Sequence, residues 1–179
     1  MNLLFSELLD GRLGVVLNLL NSSVTHVNTQ PELVKAVVKL LSTLAAKDST
    51  SKNGKEADSN ALVQETRKQI ARQLLQLKNT PRHQYKKQGD SAPKYSAGQY
   101  SGIGCQLLSA LFQLQYEVSQ FVLKSFANLG KDEHVNMCKD HQASHVIEHF
   151  LTSRHVPLTL KQNFIESLKG SFAEVRGYF

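Results

Sequence analysis

The polar side chains of residues 144–148 could recognise a flat ligand that carries hydrogen-bonding groups along one edge. Ser144 and Glu148 are four residues apart, so in a helix their side chains share one face. Ser144 can donate or accept a hydrogen bond, and the carboxylate of Glu148 can accept from two donors at once. His145 lies about 100° round the helix and offers a ring for stacking. Guanine fits this set, because its Watson–Crick edge places an N1–H beside an amino group, and charge-assisted bonds to a carboxylate are strong.

A short amphipathic helix is predicted to position these residues. After a polar start at Asp140, apolar residues recur at helical spacing and form one stripe. The members of this stripe are Val146, Ile147, Phe150 and Leu151. The alternative interpretation is that the polar residues are ordinary solvated positions on the opposite face of the helix.

The composition of the chain favours an all-α fold. Its 179 residues are enough for one sizeable core or a short array of repeats. The hydrophobic fraction of 41% is ordinary for a globular protein, while the chain has only 10 Gly and 4 Pro. Strongly helical patterns recur along it, such as the apolar spacing that follows Pro31.

Charge and cysteine content narrow the classes of partner and compartment. The 21 basic and 15 acidic residues give a net charge of +6, which is compatible with a polyanionic partner without being diagnostic of one. No apolar run is long enough to cross a membrane, and the start of the chain lacks the features of a signal peptide. Two cysteines, Cys105 and Cys138, do not make a disulfide framework and fit a reducing compartment.

Two further stretches, 10–20 and 102–108, can be aligned with residues 140–150 so that apolar positions coincide. In this alignment Gly14 and Asn18 fall on Ser144 and Glu148 in the first stretch, and Gly104 and Leu108 do so in the second. The last two copies are then 40 residues apart (144 − 104), within the range of solenoid repeats. Because these copies carry few polar side chains at the two positions, no continuous base-by-base code is predicted.

Residues 143–148, Ala-Ser-His-Val-Ile-Glu, resemble the RNA-reading helix of a Pumilio (Puf) repeat. In that family the first and fifth residues of a five-residue motif contact the edge of one base, and the second residue stacks on it. The resemblance therefore implies that Ser144, His145 and Glu148 bind RNA, with the Ser and Glu pair similar to a guanine reader. The later Ser-Leu-Lys-Gly at 167–170 is similar to a nucleolar branch of the family that acts in small-subunit ribosome assembly.

The resemblance implies an all-α superhelical array of Puf-type repeats with loop insertions. It also implies single-stranded RNA as the partner, precursor ribosomal RNA in particular, with proteins of the pre-ribosomal particle as further partners, and a nuclear and nucleolar location. Weaker RNA-binding candidates are Asn18, Arg12, Lys86 and Lys87. No cofactor is implied.

The predicted organisation alternates repeats with insertions. We predict first Puf-like repeats over 1–46, a disordered insertion over 47–60, an extra helix over 61–78, a basic linker over 79–99, and Puf-like repeats with the reading helix over 100–179. The chain begins inside a repeat and stops where another reading helix would follow. We therefore expect a fragment of a longer solenoid.

Three alternatives stay open at this point. A protein-binding scaffold of the HEAT or armadillo kind, or a Puf regulator of messenger RNA, would produce similar helical patterns. A metal site would use residues that recur at roughly helical spacing, namely His134, Cys138, His141, His145 and His149. We predict no metal, because no Glu directly follows His141 or His145 as a catalytic zinc helix would require. We also predict no enzyme activity and no catalytic residues, since no nucleophile constellation or phosphate-binding loop stands out.

Overall fold

The computed structural model describes residues 13–50, 59–77 and 100–171, which contain eight α-helices and no strand. The helices are α1 (Leu13–Ser23), α2 (Gln30–Thr50), α3 (Ser59–Leu75), α4 (Gly102–Leu111), α5 (Tyr116–Ala127), α6 (Lys131–Lys139), α7 (Ala143–Thr152) and α8 (Leu158–Leu168). Short 3-10 turns lie at Val27–Thr29 and Lys169–Ser171. The all-α prediction is confirmed.

Helices α2 and α3 extend into the predicted insertion at 47–60, since α2 ends at Thr50 and α3 begins at Ser59. Ala45, Ala46 and Lys47 have high helix propensity, which continues α2 beyond its apolar pattern. The predicted basic linker at 79–99 lies outside the described residues, as do 1–12 of the first predicted repeats and 172–179 of the last ones.

The helices form three successive layers. Helices α1, α4 and α7 lie side by side in one row, with α4 packed against both of the others. Helix α2 packs on α1 and on α5, while α3 packs against α2, α4 and α5. In the last layer α6 packs against α7 and α8. Helix α3, predicted as an extra helix, therefore holds the place in the middle layer that α6 holds in the last one, as in a helical solenoid.

An aromatic cluster joins the middle and last layers. It consists of Phe112, Phe126, Phe150, Phe164 and His134, whose neighbouring ring centroids are 4.7 to 5.8 Å apart. Phe112, Phe126 and Phe150 are completely buried, and truncation of such a side chain to Ala typically costs about 3–5 kcal/mol. His134 Nε2 donates to the carbonyl oxygen of Phe126 at 3.0 Å. This cluster packs on the buried side of α4 and α7 and fixes their positions relative to each other.

Buried polar side chains also connect the layers. The Gln30 amide donates to Ser23 O at 2.9 Å and accepts from the N–H of Gln115 at 3.0 Å, so it links the end of α1 to the start of α5. The Ser153 hydroxyl donates to Phe112 O at 2.6 Å across the next boundary. Because an unpaired buried polar group is costly, these bonds favour one relative position of the layers.

The end of α3 and the start of α4 lie next to each other. The N–H of Ser101 donates to Leu75 O at 2.8 Å, and Tyr100 beside it is buried. The two helices then approach closely, because a Cβ atom placed on Gly104 would lie 1.8 Å from the carbonyl oxygen of Leu74. Glycine is therefore required at position 104 for this packing.

Candidate nucleic-acid interface

The row of α1, α4 and α7 borders an open groove of about 480 Å³. Its described lining carries amide, hydroxyl, thiol and imidazole groups and contains no Asp, Glu, Lys or Arg. The lining residues are Leu17, Asn21, Gly102, Cys105, Gln106, Ser109, Ala110, Gln113, His141, Gln142, His145 and His149. Such a surface can hydrogen-bond and stack against a neutral, flat group, and it offers no formal charge unless a histidine is protonated.

Asp140 fixes the start of α7. One of its carboxylate oxygens accepts from the N–H groups of Gln142 and Ala143, both at 2.9 Å. These N–H groups have no partner within the helix, and a negative charge here also interacts favourably with the helix dipole. Ala143 is completely buried, so the first turn of α7 is seated in the core.

The residues that follow Ala143 point outward together. Ser144 is half-buried, and its hydroxyl donates to His141 O at 3.1 Å. The side chains of His145 and Glu148 are 60% and 67% exposed, and His145 Nδ1 lies 3.2 Å from a carboxylate oxygen of Glu148. His145 lines the groove, while Ser144 and Glu148 adjoin it on the same helix. The structure thus brings the three predicted residues into one accessible patch.

The alignment of α4 with α7 shifts by one residue from the predicted one. The Ser101 hydroxyl accepts from the N–H of Gly104 at 3.3 Å, as Asp140 accepts from Ala143. Gly104 therefore corresponds to Ala143, and the spacing is 39 residues (143 − 104). Leu108, which the sequence alignment placed on exposed Glu148, is completely buried.

The positions of α4 that match Ser144, His145 and Glu148 are Cys105, Gln106 and Ser109, and all three line the groove. Burial, and secondarily the charge of Asp140, raises the pKa of Cys105 to about 12, so its thiol stays protonated. Gln106 is exposed and Ser109 is half-buried. Sequence reasoning missed Gln106 and Ser109, although the capping hydroxyl at Ser101 was a signal that could have found them.

In α1 the groove residues are Leu17 and Asn21, which are four residues apart as Cys105 and Ser109 are. Asn18, the predicted candidate, is exposed but is not among the lining residues. The other weaker candidates, Arg12, Lys86 and Lys87, lie outside the described residues.

Comparison with known families accounts for this arrangement of helices. Residues 5–175 match the NOP9-like PUF repeat domain. The chain belongs to the NOP9-like PUF repeat family. The resemblance to Puf repeats drawn from residues 143–148 is thereby confirmed. A search of curated proteins found no match.

Solved structures support the same PUF repeat fold. Structures of APUM23 with GGAAUUGACGG and with GGAUUUGACGG each align with a TM-score of 0.67 at 24% identity, over 97% of this chain and 28% of that chain. APUM23 with its insert region deleted aligns with a TM-score of 0.65 at 24% identity, over 95% of this chain and 29% of that chain. The chain thus spans less than a third of the length of these PUF proteins.

The side chains predicted as alternative metal ligands do not all lie together in this PUF array. His134 is buried among phenylalanine rings, whereas His141, His145 and His149 line the groove. Within residues 13–50, 59–77 and 100–171, no group of three or more His, Cys, Asp or Glu side chains is arranged to hold a metal ion. Over the same ranges, no helix combines the length and apolarity that a membrane span needs.

Proposed function

We propose that this chain binds single-stranded RNA along the face formed by α1, α4 and α7. The observation that carries the proposal is the accessible patch of Ser144, His145 and Glu148 beside an uncharged groove in a PUF repeat array. Helical repeats of this kind read about one base each with two or three side chains. The structures of APUM23 with oligonucleotides add support from a protein of the same fold.

Helix α7 is the guanine-reading element in this proposal. The carboxylate of Glu148 accepts from N1–H and the amino group of guanine, and Ser144 offers its hydroxyl beside them. His145 stacks on the base, a contact typically worth about 1–3 kcal/mol. The contact between His145 Nδ1 and Glu148 holds both side chains on the same side of the helix before RNA arrives.

Helix α4 contributes differently. Its matching residues carry a protonated thiol, an amide and a hydroxyl, and none of them is a carboxylate. Gln106 can hydrogen-bond or stack on a base, but the set does not select guanine as Glu148 does. In this proposal the two helices therefore differ in base preference, and α7 has the stronger one.

Electrostatic attraction requires basic residues, and the described lining of the groove contains none. We assign phosphate neutralisation to scattered Lys and Arg residues, including Arg12, Lys86 and Lys87, and a polar backbone contact to Asn18. Since phosphate neutralisation releases counterions, the affinity should fall steeply with salt concentration.

The biological substrate we propose is precursor ribosomal RNA in small-subunit assembly, in the nucleus and nucleolus, with pre-ribosomal proteins nearby. The NOP9-like family membership supports this assignment. Crosslinking of the full-length protein to RNA in cells should recover precursor ribosomal RNA. Recovery of messenger RNA alone would contradict this assignment and favour a cytoplasmic Puf regulator.

The direct test is fluorescence anisotropy with guanine-containing and guanine-free single-stranded RNAs across a salt series. Glu148→Gln should reduce the preference for guanine about tenfold, because an amide loses the charge and half of the acceptor pair. Glu117→Gln is the matched control, since Glu117 is exposed on α5 and does not line the groove. It should leave the preference unchanged.

The other outcomes separate the alternatives. Salt-dependent binding without any base preference would keep RNA as the ligand and remove α7 as a reader. Folded protein that binds no RNA would overturn the proposal and favour a protein-binding scaffold. In that case binding to a peptide should tolerate salt and be indifferent to Glu148→Gln.

A further inference from the structure

Three histidines form a row along the groove side of α7. His145 and His149 are four residues apart in α7, so about 6 Å of helix rise separates them, and His141 precedes His145 by four residues in the turn before the helix. All three line the groove. The rings of His141 and His145 meet edge to face, with centroids 5.7 Å apart. Only the middle member, His145, belongs to the base-reading patch proposed above.

The outer members of the row have unused hydrogen-bonding capacity. No described residue hydrogen-bonds the ring nitrogens of His149, and the ring contact of His141 is with His145. The nearby carboxylates are already engaged, since Glu148 contacts His145 and Asp140 accepts from two N–H groups at the start of α7. Across the groove lie Gln106 of α4 and Gln113, which follows that helix, and the described lining carries no Asp, Glu, Lys or Arg. An imidazole is therefore the strongest available donor for an anionic oxygen here.

We propose that His141 and His149 bind the sugar–phosphate backbone of the RNA strand whose base is stacked on His145. This inference rests on the proposed function. A helix of ten residues is about 15 Å long, and the base occupies its middle, at His145 and Glu148. The backbone of a strand that crosses α7 must then pass on one side of the base. His141 lies on one side, in the turn before the helix, and His149 lies on the other, directly after Glu148. Each ring keeps at least one N–H donor whether it is neutral or protonated, and phosphate oxygens are good acceptors.

The experiment combines ring substitutions with neutral linkages in the RNA. The probe is GGAAUUGACGG, the oligonucleotide of an APUM23 structure, prepared with a single methylphosphonate at each linkage in turn. His141→Phe and His149→Phe keep a flat ring but remove both nitrogens. His26→Phe is the control, because His26 is exposed and outside the groove. Circular dichroism checks that each variant is folded.

The expected result is a coupling between ring and linkage. For wild type, neutralising the contacted linkage should weaken binding about tenfold, as for loss of a hydrogen bond to a charged group. At least one of His141→Phe and His149→Phe should bind the unmodified RNA about tenfold more weakly and show no further loss at that linkage. His26→Phe should keep the wild-type profile.

Two contrary results have different meanings. If wild type binds RNA with a guanine preference, but both variants keep the wild-type methylphosphonate profile, then the backbone assignment is wrong and the proposed function stands. If folded wild type binds neither this RNA nor any guanine-containing strand, then the proposed function fails and the backbone contact fails with it.

Discussion

Helices α4 and α7 are anchored in the core through equivalent positions. The side chains at their ligand-facing positions, however, differ in their chemical groups. Each helix begins with a side-chain oxygen that accepts from the N–H three residues later, and each places a small buried residue there, Gly104 or Ala143. The residues that line or adjoin the groove are then Cys105, Gln106 and Ser109 in α4, and Ser144, His145 and Glu148 in α7, and of these Cys105 is buried. The scaffold of a repeat is thus conserved within one chain while its ligand-facing residues vary independently.

This difference indicates which substitutions should affect folding and which should affect binding. Changes at the small residue or at the aliphatic positions behind it should affect folding, because these side chains are buried against neighbouring helices. Changes at the exposed positions, Gln106, His145 and Glu148, should affect binding and leave stability almost unaltered.

The largest effect is expected from a carboxylate placed at one of two adjacent positions of α4. The pair of substitutions tests the alignment of α4 with α7. Leu108→Glu should destabilise the protein on the order of 4 kcal/mol or unfold it, because Leu108 is completely buried and offers the charge no partner. Ser109→Glu should change stability by less than about 1 kcal/mol, because Ser109 lines the groove. Urea denaturation followed by circular dichroism measures both. The reverse ranking would restore the 40-residue alignment.

A smaller effect is expected at the buried small residues. Gly104→Ala should cost roughly 3 kcal/mol, since its Cβ would meet the carbonyl oxygen of Leu74 at 1.8 Å and backbone must move. The reciprocal change, Ala143→Gly, removes one buried methyl group and adds backbone freedom, for about 1–2 kcal/mol. The midpoints of urea unfolding compare the two. Equal effects would mean that the close approach of α3 to α4 is not specific to the middle layer.

The smallest expected effect concerns pH and the packing that aligns α4 with α7. Burial lowers the pKa of His134 below its ordinary value of about 6.5, and this outweighs the opposing hydrogen bond to Phe126 O. Below pH 6.5 the unfolded chain therefore binds the proton first, so stability is retained above this pH and falls as the pH drops towards the folded-state pKa.

The measurement for His134 is the urea midpoint at pH 7.5 and pH 5.5. Wild type should lose more stability on acidification than His134→Gln, whose amide can still donate to Phe126 O but cannot titrate. An equal loss in both proteins would assign the acid sensitivity to other groups.

Much of the fold could be predicted because helical periodicity is a local property. The amphipathic stripe of 146–151 and the apolar pattern after Pro31 predicted helices that the structure contains as α7 and α2. The family resemblance at 143–148 also came from contiguous residues. These features depend on side chains a few positions apart, which the sequence displays directly.

The register of α4 could not be read in the same way. Its apolar residues Leu107, Leu108, Ala110, Leu111 and Phe112 occupy more than half of the circumference, which is wide enough for the pattern to allow a shift of one residue. The preference for Ser at a helix N-cap hints at the register, and the observed bond from the Gly104 N–H to the Ser101 hydroxyl decides it. The aromatic cluster was equally hidden, because its rings come from residues that are up to 52 positions apart (164 − 112).

The hydrogen bond between the N–H of Ser101 and Leu75 O holds the end of α3 beside the start of α4. For a flexible loop, each doubling of length costs only about 0.6 kcal/mol of closure entropy. Residues can therefore be gained or lost between α3 and α4 without moving the helices that border the groove. The connection between α3 and α4 is therefore a place in this array where a long segment can be added at a small cost in stability.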